Sequence, residues 1–488
     1  MILDREQGKR WRVAGLAALA LLLMAGAGAE SSRAALPSFS TLPALSPDFA
    51  WSRSDYVVRC DSSPVKVTTL AAAGWRSRVG NGGYRADGFV SSRHLLSGRS
   101  LNVTFSRGGK SRVFHLRCLP ADFPDYQLSG PWTGTPRLTM VQLLNGYAAA
   151  FDRHGTPVWW MKTPEGDPVD AKFLPDGTFV YTPVKGVSFR RFVVRSIRGR
   201  KLRVITAGRG LGSDSHDLRL LPNGNYLIGA HRLVRGVDTS RFGGRTKSTI
   251  DTAQVQEITP AGRVVWSWNA YPRIGLRETG RWWETLAAFG QPYDVNHWNS
   301  IDRRGQRILL SFWHLDAVYC IDRRSGKILW KLGGTPTARS LEVHGDERGS
   351  YPLGGQHDAR FAADGSITVL DNATYLEPGQ PRAVRYRINA ARGTATLIDE
   401  VTDPLLTYSI GFGSARLDPE GNWFVGWGAM LDGTIGSYPA DGGEPSRLLT
   451  PGGASYRASP VTGGRPTVAA LRQAMDDRVR SAGAAASG

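Results

Sequence analysis

Histidine is scarce in this chain, 9 residues of 488, yet three histidines stand at one position of a repeated segment. They are His216 in HDLRLLPNG, His297 in HWNSIDRRG and His357 in HDARFAADG, and the segments end on turn glycines Gly224, Gly305 and Gly365. Two further segments align on the same turn without a histidine: VDAKFLPDG, from Val169, and GSARLDPEG, from Gly413. Imidazole titrates near pH 6.5, so it serves as nucleophile, proton carrier or metal ligand under physiological conditions. Repeats arranged around an axis bring equivalent positions together. Three imidazoles would then meet at one place.

The elements that would hold them repeat as well. From about 136 to 450, alternating apolar strands are separated by Asn/Asp-Gly turns, and the hairpins FDRHGTPVWW and IDRRSGKILW nearly superimpose, with ITPAGRVVWSW a looser copy. Counting turns gives units at roughly 137–163, 169–208, 216–270, 297–334, 357–403 and 413–450. A spacing of about 40 to 60 residues suits four-stranded propeller blades better than the shorter, more even period of a solenoid. The expected fold class is therefore all-β, a six-bladed β-propeller over 125–455 with the histidines at one mouth of its channel. Two insertions flank that mouth: 271–296, with Trp282, Trp283 and Tyr293, and 335–356, with His344 and Tyr351. Their aromatics would either wall an aromatic ligand or fill the loops' own small cores.

Ahead of the propeller, residues 51–119 carry the alternating runs YVVRC, VKVTTL, LNVTF and RVFHLRC between glycine-rich turns. This reads as a small antiparallel β-sandwich, Ig-like, bracketed by Cys60 and Cys118, which an oxidising compartment would let pair. LPADFPDYQL follows as a linker, and Cys320 reads as a buried free thiol. At the start, Arg5, Lys9, Arg10 and Arg12 precede an apolar run from Val13 to Ala27 and a small-residue site, Ala27-Gly28-Ala29. That is the pattern of an export signal over 1–29. The run is short for a span of ~20 residues, so cleavage without stable membrane insertion is expected, an uncleaved anchor being the alternative. The location would be secreted or extracytoplasmic. Residues 456–488 are expected as a tail, a short helix followed by disorder. The net charge of +19 is spread along the chain, without a helix-turn-helix signature, zinc-finger spacing or dense basic run. It describes a solvated, arginine-rich surface rather than a nucleic-acid binder, and its field would draw in an anionic small substrate.

DVNHWNSID, AVYCIDRRSGKILWKLGG and GGQHDARFAADGSITVLDN, in that order and spacing, resemble the bacterial arylsulfate sulfotransferases, the arylsulfotransferase family. The disulfide-bracketed segment ending in RCLPADFP is similar to that of their secreted actinobacterial-type relatives. The resemblance covers most of residues 50 to 450. It implies a six-bladed propeller that moves a sulfuryl group from a phenolic sulfate to another phenol, with neither a nucleotide sulfate donor nor a cofactor. It also implies that His357 is the nucleophile, with His216 and His297 as the other channel histidines and Asn299 beside them. One position departs. Where the family carries an arginine that holds the sulfate, this chain reads SFWHLDAVY, with Trp313 in that place and His314 next to it. Arg360, three residues after His357, is the candidate replacement, although on a strand an odd separation points it to the other face.

The side chains suit this chemistry on their own account. Attack on the sulfur of an anionic ester needs a neutral, unhindered nucleophile, and neutral imidazole qualifies. A sulfohistidine splits transfer into two steps, in which one group can protonate the departing phenolate and deprotonate the entering phenol. Asn299, His314 and Trp313 would complete the substrate contacts. Three other readings stay open: a His-ligated metal enzyme with His314 as a fourth ligand, a quinone-cofactor propeller, and a non-catalytic secreted propeller that binds aromatic or sulfated ligands. The expected partners are an aryl sulfate donor and a phenolic acceptor, with no metal; oligomeric state is open.

Overall fold

The computed structural model describes residues 36–486, apart from 61–63, 131–136, 144, 186–189, 378, 429–432, 454 and 462–463. The expected export signal lies outside the described residues. Two sheets form the N-terminal region. Ser38–Leu42, Val65–Leu70 and Phe89–Arg93 make a three-stranded sheet; Asp55–Arg59, Lys110–Leu119, Ser100–Arg107 and Arg76–Val79 make a four-stranded one. The alternation in VKVTTL buries Val65, Val67 and Thr69 while Lys66 and Leu70 face solvent, as a pleated strand with one covered face must. Those valines share a core with Phe39, Phe105, Phe114 and Leu116 of the two sheets. A disulfide joins Cys60 and Cys118, whose Cα atoms are 5.7 Å apart and 58 residues distant in sequence. Closing a loop of that length contributes about 4 kcal/mol in the chain-entropy description. Two expectations need correcting. The unit begins at Ser38 rather than at 51, and it is not wholly antiparallel, because Asp55–Arg59 runs parallel to Lys110–Leu119.

The remainder is a β-propeller: six sheets, each built on at least four antiparallel strands, succeed one another among the described residues. The innermost strands are Asp167–Phe173, Gly212–Leu220, Trp298–Arg304, His357–Phe361, Ser414–Leu417 and, for the first sheet, Ala458–Pro460. That last strand comes from the far end of the chain and pairs with Leu138–Gln142, Ala458 opposite Val141. In exchange, Gln127–Ser129 adds an outer strand to the last sheet, Leu128 opposite Leu448. Each end of the repeat array thus completes the other end's sheet, which ties the two ends of the array together. The tail boundary expected at 455 is therefore wrong, and the supposed linker is built into the fold through Gln127–Ser129 and the buried Phe123. Nor is the tail a short helix: the helix Val468–Ala486 is 19 residues long. Its Leu471 and Met475 enter the core beside Trp160. Arg472 binds Asp55 at 2.6 Å and Asp476 binds Arg117 at 2.8 Å, so the helix clasps the N-terminal sheets to the propeller.

The repeated tryptophans are stitches. Trp159 Nε1 donates to Ile197 O at 2.8 Å and Trp268 Nε1 to Gly326 O at 2.9 Å, each bonding the outer hairpin of the next sheet. Such a tryptophan satisfies its indole N–H while burying its ring between sheets. Cys320 is buried and free, and burial pushes its thiol up to about 12.

Candidate active site

His216, His297 and His357 arrive from consecutive inner strands. His216 lies inside Gly212–Leu220, at an irregularity in that strand's register; His297 immediately precedes Trp298–Arg304; His357 opens its own strand. The rings of His216 and His297 are neighbours, with centroids 5.2 Å apart. Each has a carboxylate on Nδ1: Asp214 for His216, and Asp294, at 2.6 Å, for His297. Burial opposes a charge on His297, but the charge and hydrogen bond of Asp294, with Asp214 behind them, win and raise its pKa. Asp294 is held well below the usual carboxylate range despite its burial, chiefly by His297. Asp294 thus favours the imidazolium form of His297.

Both rings line a cavity of about 760 Å³, together with Arg190, Leu211, His231 and Asp251. That size accommodates a substituted aromatic molecule.

His357 sits differently. Only 3% of it is exposed. Its Nδ1 lies 2.9 Å from Asn372 Oδ1 and 3.1 Å from Gly355 O, so Nδ1 carries the proton, and Nε2 accepts from the Phe412 amide at 3.1 Å. Among the described residues no carboxylate touches the ring. Burial first, then the charge of Arg457, lowers its pKa to about 3, and the imidazole is neutral throughout the physiological range.

This geometry has a relative. The model of the arylsulfotransferase (ASST) family matches residues 130–444, which is most of the propeller. The chain belongs to the arylsulfotransferase family. Members of that family take small aryl sulfates and phenols as substrates. No curated protein matches the chain at a significant level. Similar solved structures include TolB from Acinetobacter baumannii, at 13% identity over 75% of this chain and 81% of that one with a TM-score of 0.38. Another is the hydrazine synthase of Kuenenia stuttgartiensis, at 12% identity over 82% and 96% with a TM-score of 0.34. Likeness at that level bears on no chemistry.

Within this arylsulfotransferase, the remaining expected site residues divide. Trp313 stands between the two halves of the site, its ring 4.9 Å from His297 and 6.2 Å from His357. Its buried Nε1 has no hydrogen-bond partner. Gly355, at φ +59°, permits this approach, because a Cβ there would fall 2.3 Å from Trp313 Nε1. His314 stacks on Trp313 at 5.2 Å and places Nδ1 2.6 Å from Asp294 O; burial lowers its pKa to about 4.

Two residues do not face substrate. Asn299 is fully buried and donates Nδ2 to Gln356 O at 2.8 Å, which fixes the backbone entering His357. Arg360 points away from His357, as strand parity requires. It is spent on Asp217 and Asp358, both at 2.7 Å, and on Ile301 O, inside a buried ionic network. It cannot stand in for the missing arginine. The carboxylates next to two of the histidines in sequence, Asp217 and Asp358, belong to the same network and do not orient the imidazoles; Asp214 and Asp294 do. Trp283 and Tyr293 fill their insertion's own core with Leu286 and Val295, and so do not wall the ligand cavity. Both insertions converge instead on Asp316, which accepts from Arg281 at 2.7 Å, Trp282 Nε1 at 3.0 Å, Tyr351 at 2.6 Å and the Gly355 amide at 2.7 Å.

Sequence reasoning missed His231, Asn372, Tyr456 and Arg457. Arg457 is the largest omission. It is fully buried and donates to Asp170 at 2.9 Å, to His216 O at 2.8 Å and to Asn299 O at 2.5 Å, tying three inner strands together under the histidines. The signal existed: SYRASP is apolar-alternating and follows the last unit, but its partner strand lies more than 300 residues earlier. Asp294, His297 and His314 also group their ligand atoms within 4.8 Å of one another. In that group the Asp294 carboxylate is already hydrogen-bonded to His297 and His314 Nδ1 to backbone, an arrangement of donor–acceptor pairs rather than an open chelate.

Proposed function

We propose that this protein carries a sulfuryl group from an aryl sulfate to a phenol through a sulfohistidine at His357, with no nucleotide donor. The observation that carries the reading is the contrast between His357, its pKa lowered and its proton fixed on Nδ1 by Asn372, and His297 across Trp313, its pKa raised by Asp294. Environments that push two titratable groups apart separate nucleophile from acid. Nε2 of His357 attacks sulfur as the S–O bond to the aryl oxygen breaks, and His297 delivers its proton to that oxygen. In the second half the acceptor phenol returns a proton to His297 while its oxygen attacks sulfur and His357 is released. Attack requires the Phe412 amide to leave Nε2, and that N–H then faces the sulfuryl oxygens as a fixed donor. Phe412 holds φ 63° between Gly411 and Gly413, a turn with freedom to shift.

The disulfide suits an oxidising compartment, and with the export pattern of 1–29 it supports work outside the cytoplasm. Among the described residues no helix is long and apolar enough to cross a membrane. The test is incubation with a chromogenic aryl sulfate, with and without a phenol, followed by peptide mass spectrometry. Sulfonation of His357 is expected; sulfonation elsewhere overturns the assignment. Phenol binding without any turnover would favour a non-catalytic binder of aromatic ligands.

A further inference from the structure

His231 is singled out neither by the repeat column nor by the family resemblance. It lies on Tyr226–Val237, opposite Gly212 of the His216 strand, and its ring lines the same cavity as His216 and His297. Asp251, on the next strand, sits 2.8 Å from its Nδ1, so Nε2 is the nitrogen this carboxylate leaves for other partners. Its side chain is 41% exposed, against 11% for His216 and 25% for His297. Asp251 pairs with Asp294 in a parallel bridge, and Val295 N donates to Asp251 O at 3.1 Å. The two histidine–aspartate pairs therefore ride on one rigid frame.

Arg190 lines the cavity too. It is exposed, and among the described residues it has no ion pair or hydrogen bond. Among the described residues the only carboxylate lining the cavity is Asp251, already engaged by His231. Leu211 and Ala207 supply apolar wall between these polar groups.

We propose that this cavity is a subsite for the aromatic part of the substrate and that His231 and Arg190 select phenols bearing an acidic substituent, such as a carboxylate. This rests on the aryl sulfate–phenol reading for the aromatic nature of the ligand. Arg190 and His231 line the cavity and His357 does not, so in this proposal the two cations hold a ring substituent rather than the reacting oxygen. An imidazolium N–H and a guanidinium converging on one carboxylate form charge-assisted hydrogen bonds. Asp251, Asp214 and Asp294 face His231 and favour its charge, while His216, His297 and Arg190 face it and oppose charge. Burial also opposes it, yet the balance is a pKa pushed up to about 9.

The test is calorimetric binding of 4-hydroxyphenylacetate and of the neutral 4-methylphenol to the full chain at pH 7, which needs no turnover. The acidic phenol is expected to bind about tenfold tighter. That preference should shrink several-fold in Arg190→Gln and His231→Gln, disappear in the double variant, weaken at pH 10, and survive in His357→Ala. Arg190 is on the surface, so its variant reads the site even if His231→Gln folds poorly. Equal affinities, a preference untouched by the double variant, or failure of both phenols to bind overturns the proposal. If the preference is present but no aryl sulfate turns over, the catalytic reading falls and the acidic-phenol site stands.

Discussion

His297 and His357 enter consecutive propeller sheets at equivalent positions, yet their surroundings push their pKa values in opposite directions. His297 has a carboxylate on Nδ1 and an open cavity beside it. His357 has an amide oxygen on Nδ1, a backbone amide on Nε2 and almost no exposure. A carboxylate stabilises the imidazolium by its charge; an amide orients the ring without that stabilisation, and burial then decides for the neutral form. On the proposed reading, one side chain type supplies both acid and nucleophile, on either side of Trp313. Repeat architecture provides the placement, and the neighbours provide the difference.

The comparison breaks most decisively at His357. His357→Ala is expected to lower phenol release from a chromogenic aryl sulfate by about 10³-fold or more and to remove any single-turnover burst. His297→Ala should retain a burst. Equal residual activity in the two variants would mean that the roles are not divided.

Exchanging the Nδ1 partners sharpens it. Asn372→Asp should raise the pKa of His357 and, by protonating the nucleophile, cut kcat at pH 7 by about 10² with partial recovery at higher pH. Asp294→Asn should lower the pKa of His297 and move the alkaline limb of the kcat profile downwards. A profile unchanged in both variants would refute the assignment of charges.

Trp313 lies between the two halves. Trp313→Arg would replace an unpartnered indole N–H with a fork of donors and is expected to raise kcat/KM for aryl sulfates by about tenfold, the worth of one charge-assisted bond. A loss instead would assign Trp313 to an aromatic subsite already complete without arginine.

The smallest effect is on stability. His357 is depressed to about 3, so the unfolded chain binds its proton first, and stability is lost as pH falls from about 6.5 toward 3. His231 is raised to about 9, so its contribution is present below about 6.5 and is lost as pH rises through 9. Thermal melts at pH 5, 7 and 10 should show both arms, a few degrees each. His231→Gln should flatten only the alkaline arm, and Asn372→Asp only the acid one.

Much of the fold is legible in sequence because it is written locally. Alternation, Asn/Asp-Gly turns and the Asp–Gly–Trp hairpins mark strands one at a time, and five of the six inner strands lie in the segments that the repeats already flag. The closure was not legible: Ala458–Pro460 is three residues long and means nothing until Leu138–Gln142 is beside it. The site divides the same way. His216, His297 and His357 could be found by register. Arg360 looked available because the sequence does not reveal that Asp217 and Asp358 claim it, and whether Trp283 walls a ligand or fills its own loop stayed open because nothing local shows Leu286 and Tyr293 closing over it.

By itself, then, the sequence determined the repeat, the cysteine pair and the column of imidazoles, since periodicity and turn chemistry act over a few residues. Tertiary structure decided in which direction each imidazole's pKa moves, where Arg457 sits and what Trp313 separates. Those outcomes depend on burial and on charges contributed by strands hundreds of residues apart, and electrostatics acts through space, not along the chain.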